Sequence, residues 1–312
     1  MLVVTGNGGG FTFGAPVAAE SHRYWRFEFS SGIDTIYAGL QELEFYDAAG
    51  NITSAAAVTS AASFTPVSGG VAGLTDGDIT TEPGLMLFTY AGARRLVDFD
   101  FGAAKSLDHL RVHDRADNGG IYSESGTSRS IGVYYSDDGV TYTLYFVGYF
   151  TPDPTGGWHI INAPHIAGVM AASANLWVGL YAQKAVDGKG NYTIQELEYL
   201  AAAVVKVGAS ALPVTNLQTS QYSASYDVSK VFSGSTARWN SQNVTPQCAQ
   251  LLIHEIATPT LIDQIKLTST TYGNAMVEEF ALVAGNGTTF VPLLEVTGQT
   301  GWTNGEVRTF SV

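Results

Sequence analysis

Oxygen-bearing side chains crowd one short stretch of this chain, where Asp76, Asp78, Thr80 and Thr81 surround Gly77. Hard cations such as Ca²⁺ take several oxygens, typically carboxylates, hydroxyls and backbone carbonyls of a Gly-containing loop. An Asp so placed has a second use, accepting hydrogen bonds from its own turn, and both roles are open here. Carboxylates also come in pairs, at Asp98/Asp100, Asp137/Asp138 and Glu278/Glu279. Glycoside hydrolysis needs two carboxylates facing each other across a cleft. Asp98 and Asp100 instead share one face of one strand, and Asp137-Asp138 sits in a turn, so solvent-facing roles are expected for them. The chain contains no G-x-S-x-G, H-E-x-x-H or phosphate-binding P-loop sequence, and its six His are scattered. Cys248 is the only cysteine; it allows no intrachain disulfide or Cys-based zinc site and is expected to be a small buried apolar side chain. A non-catalytic protein is expected.

The elements that must position these residues read as strands. Gly, Tyr and Phe are frequent while Lys and Glu are scarce, a composition of short strands and many turns. His22 to Phe29 and Leu40 to Asp47 alternate apolar and polar residues like half-buried strands. A turn at Thr75 to Asp78 precedes a strand at Leu96 to Phe101, closed by Gly102, and a second at Leu107 to His113. A third, Ser130 to Ser136, runs into Asp137-Asp138-Gly139, whose Asp-Gly step predicts a hairpin before Tyr142 to Phe146. The net charge is −13, with 28 acidic residues against 15 basic ones that form no cluster. Nucleic acid is therefore not expected as a partner, because phosphate binding leans on Lys and Arg. The N-terminal MLVVTGNGGG lacks the basic flank and long apolar run of a signal peptide, and no apolar stretch of about 18 residues offers a membrane span. A soluble chain made in the cytosol, with no membrane partner, is expected.

The series repeats itself. Gln195-Glu196-Leu197-Glu198 repeats Gln41-Glu42-Leu43-Glu44 at an offset of 154, and Val231 to Trp239 stands where Leu74 to Thr81 stood, with Gly234 answering Gly77 at 157. Leu261 to Leu267 answers Leu107 to His113, Gly285 to Phe290 answers Asp137 to Tyr142, and Asn175 to Leu180 matches the strand of Trp25. Matching strand positions predict core packing for Trp25 and Trp177, whereas Trp158, Trp239 and Trp302 lie near turns and are expected to be partly exposed.

The "DG" turn with its nearby Thr, the strand Asp98-Phe99-Asp100-Phe101-Gly102 and the hairpin Tyr135-Ser136-Asp137-Asp138-Gly139 occur here in the order that resembles the galactose-binding-like jelly roll of discoidin and coagulation-factor type C domains. The pair Arg23-Tyr24-Trp25-Arg26-Phe27 and Glu42-Leu43-Glu44-Phe45-Tyr46 resembles strands that usually close such a domain but here open it, an order met in phage structural proteins of this family. The resemblance implies an all-β chain of two tandem jelly-roll β-sandwiches, at residues 20–168 and 172–312, behind a Gly-rich N-terminal arm at 1–19, with a short junction that holds the two close. It implies a structural Ca²⁺ in the first domain, held by Asp76 of the "DG" turn and Glu42 of the "ELE" strand; in the second, Glu196 remains but Ser233 replaces the Asp. Binding loops in this family sit at one end of the barrel. The long one here, Asp114 to Arg129, carries Arg115, Asp117, Asn118 and Tyr122, which supply hydrogen bonds to sugar hydroxyls and a ring for stacking.

The expected function is that of a non-catalytic bacteriophage virion protein, of tail fibre, spike or baseplate type, which attaches to a host cell-surface glycan and contacts other virion proteins. Its place would be the virion, assembled in the host cytoplasm, and self-association is left open. The rival reading is an architectural virion protein that joins its neighbours without binding sugar. A carbohydrate-binding module of a glycan-degrading system ranks third, since this chain offers no catalytic domain.

Overall fold

The computed structural model describes residues 5–7, 10–12, 19–29, 38–54, 59–62, 66–80, 85–87, 96–114, 129–151, 153, 156–167, 176–186, 192–201, 205–207, 216–218, 229, 231, 238–240, 249–256, 262–271 and 275–312. Eighteen strands carry the architecture, in two sets of nine. The first set is β1 (Ser21–Phe29), β2 (Glu42–Asp47), β3 (Gly50–Asn51), β4 (Thr59–Ala62), β5 (Leu96–Ser106), β6 (His109–His113), β7 (Arg129–Ser136), β8 (Thr143–Phe150) and β9 (Trp158–Asn162). A four-residue helix, α1 (Pro164–Ala167), leads to the second set. That set is β10 (Leu176–Ala185), β11 (Glu196–Ala201), β12 (Val205–Val207), β13 (Asn216–Gln218), β14 (Gln250–Ile256), β15 (Gln264–Thr268), β16 (Val277–Gly285), β17 (Thr289–Val296) and β18 (Val307–Ser311). The protein is all-β with antiparallel sheets, and no helix among the described residues is long and apolar enough to cross a membrane.

Each set splits its strands in the same way. Four build a small sheet, ordered β9-β6-β2-β3 in the first set and β18-β15-β11-β12 in the second. The other five of each set join in one ten-stranded sheet, β4-β5-β1-β7-β8-β17-β16-β10-β14-β13. Its two halves are mirror sequences of equivalent strands that meet at β8 and β17. Corresponding hydrogen bonds recur: Gln41 N–H donates to the His113 carbonyl and Gln195 N–H to that of Thr268, both at 3.0 Å. Asp108 N–H meets the Tyr46 carbonyl at 2.8 Å, and Asp263 N–H meets that of Leu200 at 2.9 Å.

Alternation explains the packing. In β1, Trp25, Phe27 and Phe29 point inward to a core shared with Phe45, Phe99, Val97, Leu110 and Val133. In the second set Val178, Leu180, Leu197, Tyr199, Ile265, Phe280 and Trp239 fill the equivalent space. The hairpin turns are built alike. The Asp138 carboxylate accepts the Val140 and Thr141 N–H groups at 2.8 Å, and Gly139 takes a positive φ of 72°. Asn286 Oδ1 accepts the Thr288 and Thr289 N–H groups at 3.1 and 2.9 Å, and Gly287 has φ of 98°. Trp239 and Trp302 are buried, against the expectation of partial exposure, because Trp302 donates its indole N–H to the Val277 carbonyl while Arg308 covers its ring at 4.0 Å. Trp177 is only partly buried and packs outside the second core, against a third cluster.

That third cluster lies between the sets. Tyr134, Leu144, Val147 and Tyr149 from the first meet Tyr181, Leu251, Ile253, Ala281, Val283 and Phe290 from the second. Where β8 pairs with β17, Val147 stands opposite Phe290 and Gly148 opposite Thr289. Glu28 is fully buried beside this seam; its Oε2 accepts the Tyr134 hydroxyl at 2.6 Å and the Tyr181 hydroxyl at 3.1 Å, and Gln183 donates to Tyr134 at 2.7 Å. Tyr181 passes over Gly132, where an added Cβ would collide with its hydroxyl. Removing the carboxylate leaves two buried hydroxyls short of a partner, a cost of about 2–4 kcal/mol. Urea unfolding of Glu28→Ala should show that loss, and a change below about 0.5 kcal/mol would mean that the network does not hold the two sets together.

Candidate functional site

The turn at residues 75–80 is held by two consecutive residues at the start of β2. Gln41 Nε2 donates to the Asp78 carbonyl at 3.2 Å, and Glu42 Oε1 accepts the Gly77 N–H at 3.2 Å. Gly77 has φ of 80°, which a residue with a side chain resists. Within the turn, Asp76 Oδ1 accepts the Asp78 N–H at 2.9 Å, and Asp78 Oδ1 accepts the Thr80 N–H at 2.8 Å and the Thr80 hydroxyl at 2.7 Å. Asp76 thus makes the turn with one oxygen, which is the second of its two sequence-level roles.

Glu42 is the unusual member. It is 1% exposed, and its Oε2 has no hydrogen-bond partner. Burial, reinforced by the charges of Asp76, Glu44 and Asp78 and opposed by the Gly77 N–H, pushes its carboxyl up to about 7. Directly across the strand pair stands His113, also buried, with Nδ1 unpartnered and with burial pulling its pKa below the ordinary value. A buried carboxylate oxygen without a donor is costly, and three nearby acidic groups make it more so. A cation or a proton relieves both terms. Glu42 therefore fits one ligand position of a hard-cation site, with Asp76 beside it as a second anionic group. Among the described residues, no three His, Cys, Asp or Glu side chains converge in a way that would hold a metal ion. A fuller oxygen shell would need backbone carbonyls and water.

The carboxylate pairs are all taken up locally. Asp98 and Asp100 accept two-pronged hydrogen bonds from Arg26 at 2.6 and 2.8 Å and from Arg23 at 2.7 Å each, the latter holding the Asp100 carboxyl below its ordinary range. Backbone N–H groups bring the Asp138 carboxyl down to about 2. Lys184 reaches Glu278 at 2.7 Å and Glu279 at 3.6 Å. Among the described residues, the partners of these pairs include Arg, Lys and His side chains and backbone N–H groups. The sugar-binding candidates Arg115, Asp117, Asn118 and Tyr122 lie outside the described residues, as does Cys248. Asp114, the last described residue before them, is buried; it accepts the Asp153 N–H at 2.6 Å and pairs with His159 at 2.7 Å.

Comparison with known protein families, with curated proteins and with solved structures finds no match to this chain.

The raised Glu42 pKa makes a signed prediction. The folded state holds this proton more tightly than the unfolded state, so Glu42's contribution is favourable below about pH 4.5 and fades as pH rises through about 7. In the absence of divalent cations, wild type should lose on the order of 2–3 kcal/mol across that window relative to Glu42→Gln. Parallel pH-stability curves for the two proteins would reveal an unperturbed Glu42.

Proposed function

We propose that this chain is a non-catalytic bacteriophage virion protein built from two tandem galactose-binding-like jelly rolls, and that it attaches the particle to glycans on the host surface. The observation that carries this reading is the repeated nine-strand order, a five-strand layer packed on a four-strand layer in each set. It supports the resemblance drawn from the "DG" turn, the "ELE" strands and the hairpin. In that reading the first jelly roll presents Arg115, Asp117, Asn118 and Tyr122 to sugar hydroxyls and ring faces. The Arg–Asp and Lys–Glu pairing of the candidate acidic groups supports a binding rather than a hydrolytic role.

Ca²⁺ belongs to the proposal as a structural ion of the first jelly roll. Glu42 would hold it with its buried Oε2, and Asp76 would add the second carboxylate. The ion would supply the positive charge that the end of β2 lacks, fixing the 75–80 turn against the sheet. Gln41 and the Gly77 N–H already hold that turn in place.

Two measurements test this. Millimolar Ca²⁺ should raise the thermal midpoint of wild type by several degrees and leave Glu42→Gln unmoved; equal shifts in both would remove Glu42 from the ion's ligands. In a glycan-array assay with Ca²⁺ and with chelator, wild type should bind a restricted set of glycans and Arg115→Ala/Tyr122→Ala should lose them. Absence of binding by folded wild type under both conditions would turn the assignment to an architectural virion protein.

A further inference from the structure

The outward face of the four-stranded sheet in the first set carries a group of side chains that its counterpart in the second set lacks. Strand register places them in three cross-strand rows: Tyr46, His109 and Asn162; Glu44, Arg111 and Ile160; Glu42, His113 and Trp158. The equivalent rows in the second set are Leu200, Gln264 and Ser311; Glu198, Lys266 and Thr309; Glu196, Thr268 and Val307. The central acid–base pair is common to both, with Arg111 2.9 Å from Glu44 and Lys266 3.9 Å from Glu198. The scaffold therefore does not require rings at these positions. Only the first set has them.

The rings and the guanidinium form an ordered stack. Tyr46 lies parallel to His109, with ring centroids 4.4 Å apart, and the Arg111 guanidinium sits 4.2 Å over the Trp158 ring. Arg111 is pinned by Glu44 and by the Tyr46 hydroxyl at 3.1 Å. Ile160 projects beside it, 61% exposed, a large apolar side chain set in a polar face. Among the described residues, several directional groups on this face make no hydrogen bond: the Trp158 indole N–H, Glu44 Oε1 and the His109 ring nitrogens. Preorganised planar side chains, one apolar patch and unspent donors and acceptors are what recognition of a polyhydroxylated ring requires.

Charge selects the kind of ligand. Arg111 is neutralised by Glu44, and burial pulls the His109 imidazole below its ordinary pKa, leaving it uncharged at neutral pH. The Arg111–Glu44 centre of the strip is thus electrically balanced on a chain of net charge −13. A polyanion meets the long-range field of the whole protein. An uncharged glycan does not.

We infer that the outward face of β9, β6 and β2 binds a neutral glycan along the strip from Trp158 across Arg111 to Tyr46. The strip crosses two strand spacings, about 10 Å, the reach of a short oligosaccharide. The inference rests on the glycan-attachment reading and locates the contact on the sheet face rather than in the loop alone.

The test uses the full chain on an array of neutral oligosaccharides, followed by titration of the best ligand. Trp158→Ala and Ile160→Arg are each expected to weaken binding at least tenfold. Ile160 is exposed, so its variant should keep the wild-type thermal midpoint and block the strip by bulk and charge, which covers the case of a Trp158 variant that folds poorly. Wild-type affinity in Ile160→Arg, together with loss in Arg115→Ala/Tyr122→Ala, would overturn the sheet-face site and leave the loop site standing. A folded wild type that binds no neutral glycan would overturn the glycan reading itself, and this site with it.

Discussion

The seam between β8 and β17 governs the rest of the structure. An exposed sheet edge presents unpaired N–H and carbonyl groups and invites aggregation. Here two equivalent edges satisfy each other, and the sheet then brings its outer faces together over Tyr134, Val147, Tyr181 and Phe290. Burying Glu28 in that layer is tolerable only because hydroxyls from both sets serve it, Tyr134 from one and Tyr181 from the other. A carboxylate that needs donors from two sources fixes how those sources sit. Apolar area alone would allow sliding.

The far end of the first set shows the opposite policy. Glu42 is buried with one oxygen engaged and one left bare, among acidic neighbours that push its proton affinity up. At the seam the Glu28 carboxylate is answered by hydroxyls from both sets, while at the turn Glu42 Oε2 is left for something to complete.

Much of the strand pattern was legible in the sequence. Alternation in Ser21 to Phe29 and Leu96 to Phe101 marks the inward residues, and the Asp-Gly step marks the hairpin. Glu28 was not legible. By alternation it sits on the face opposite Phe27 and reads as solvated; its cover, Tyr181, arrives 153 residues later and only through the fold. Trp239 and Trp302 misled for a similar reason, since a position near a turn says nothing about what folds over it. The aromatic strip escaped because its members come from three strands separated by long intervals. The Gln41-Glu42 repeat at Gln195-Glu196 marked equivalent strands, but no spacing tells whether a carboxylate oxygen will find a donor.

Strand direction at the seam has a consequence for reach. β7, β8, β17 and β16 are neighbours, each antiparallel to the next, so the equivalent strands β7 and β16 run in opposite senses. Like ends of the two sets thus face away from each other along the sheet. Loops at like ends of the two sets therefore point in opposite directions, so multivalent contact of those ends with a single plane would come from further copies rather than from the internal repeat.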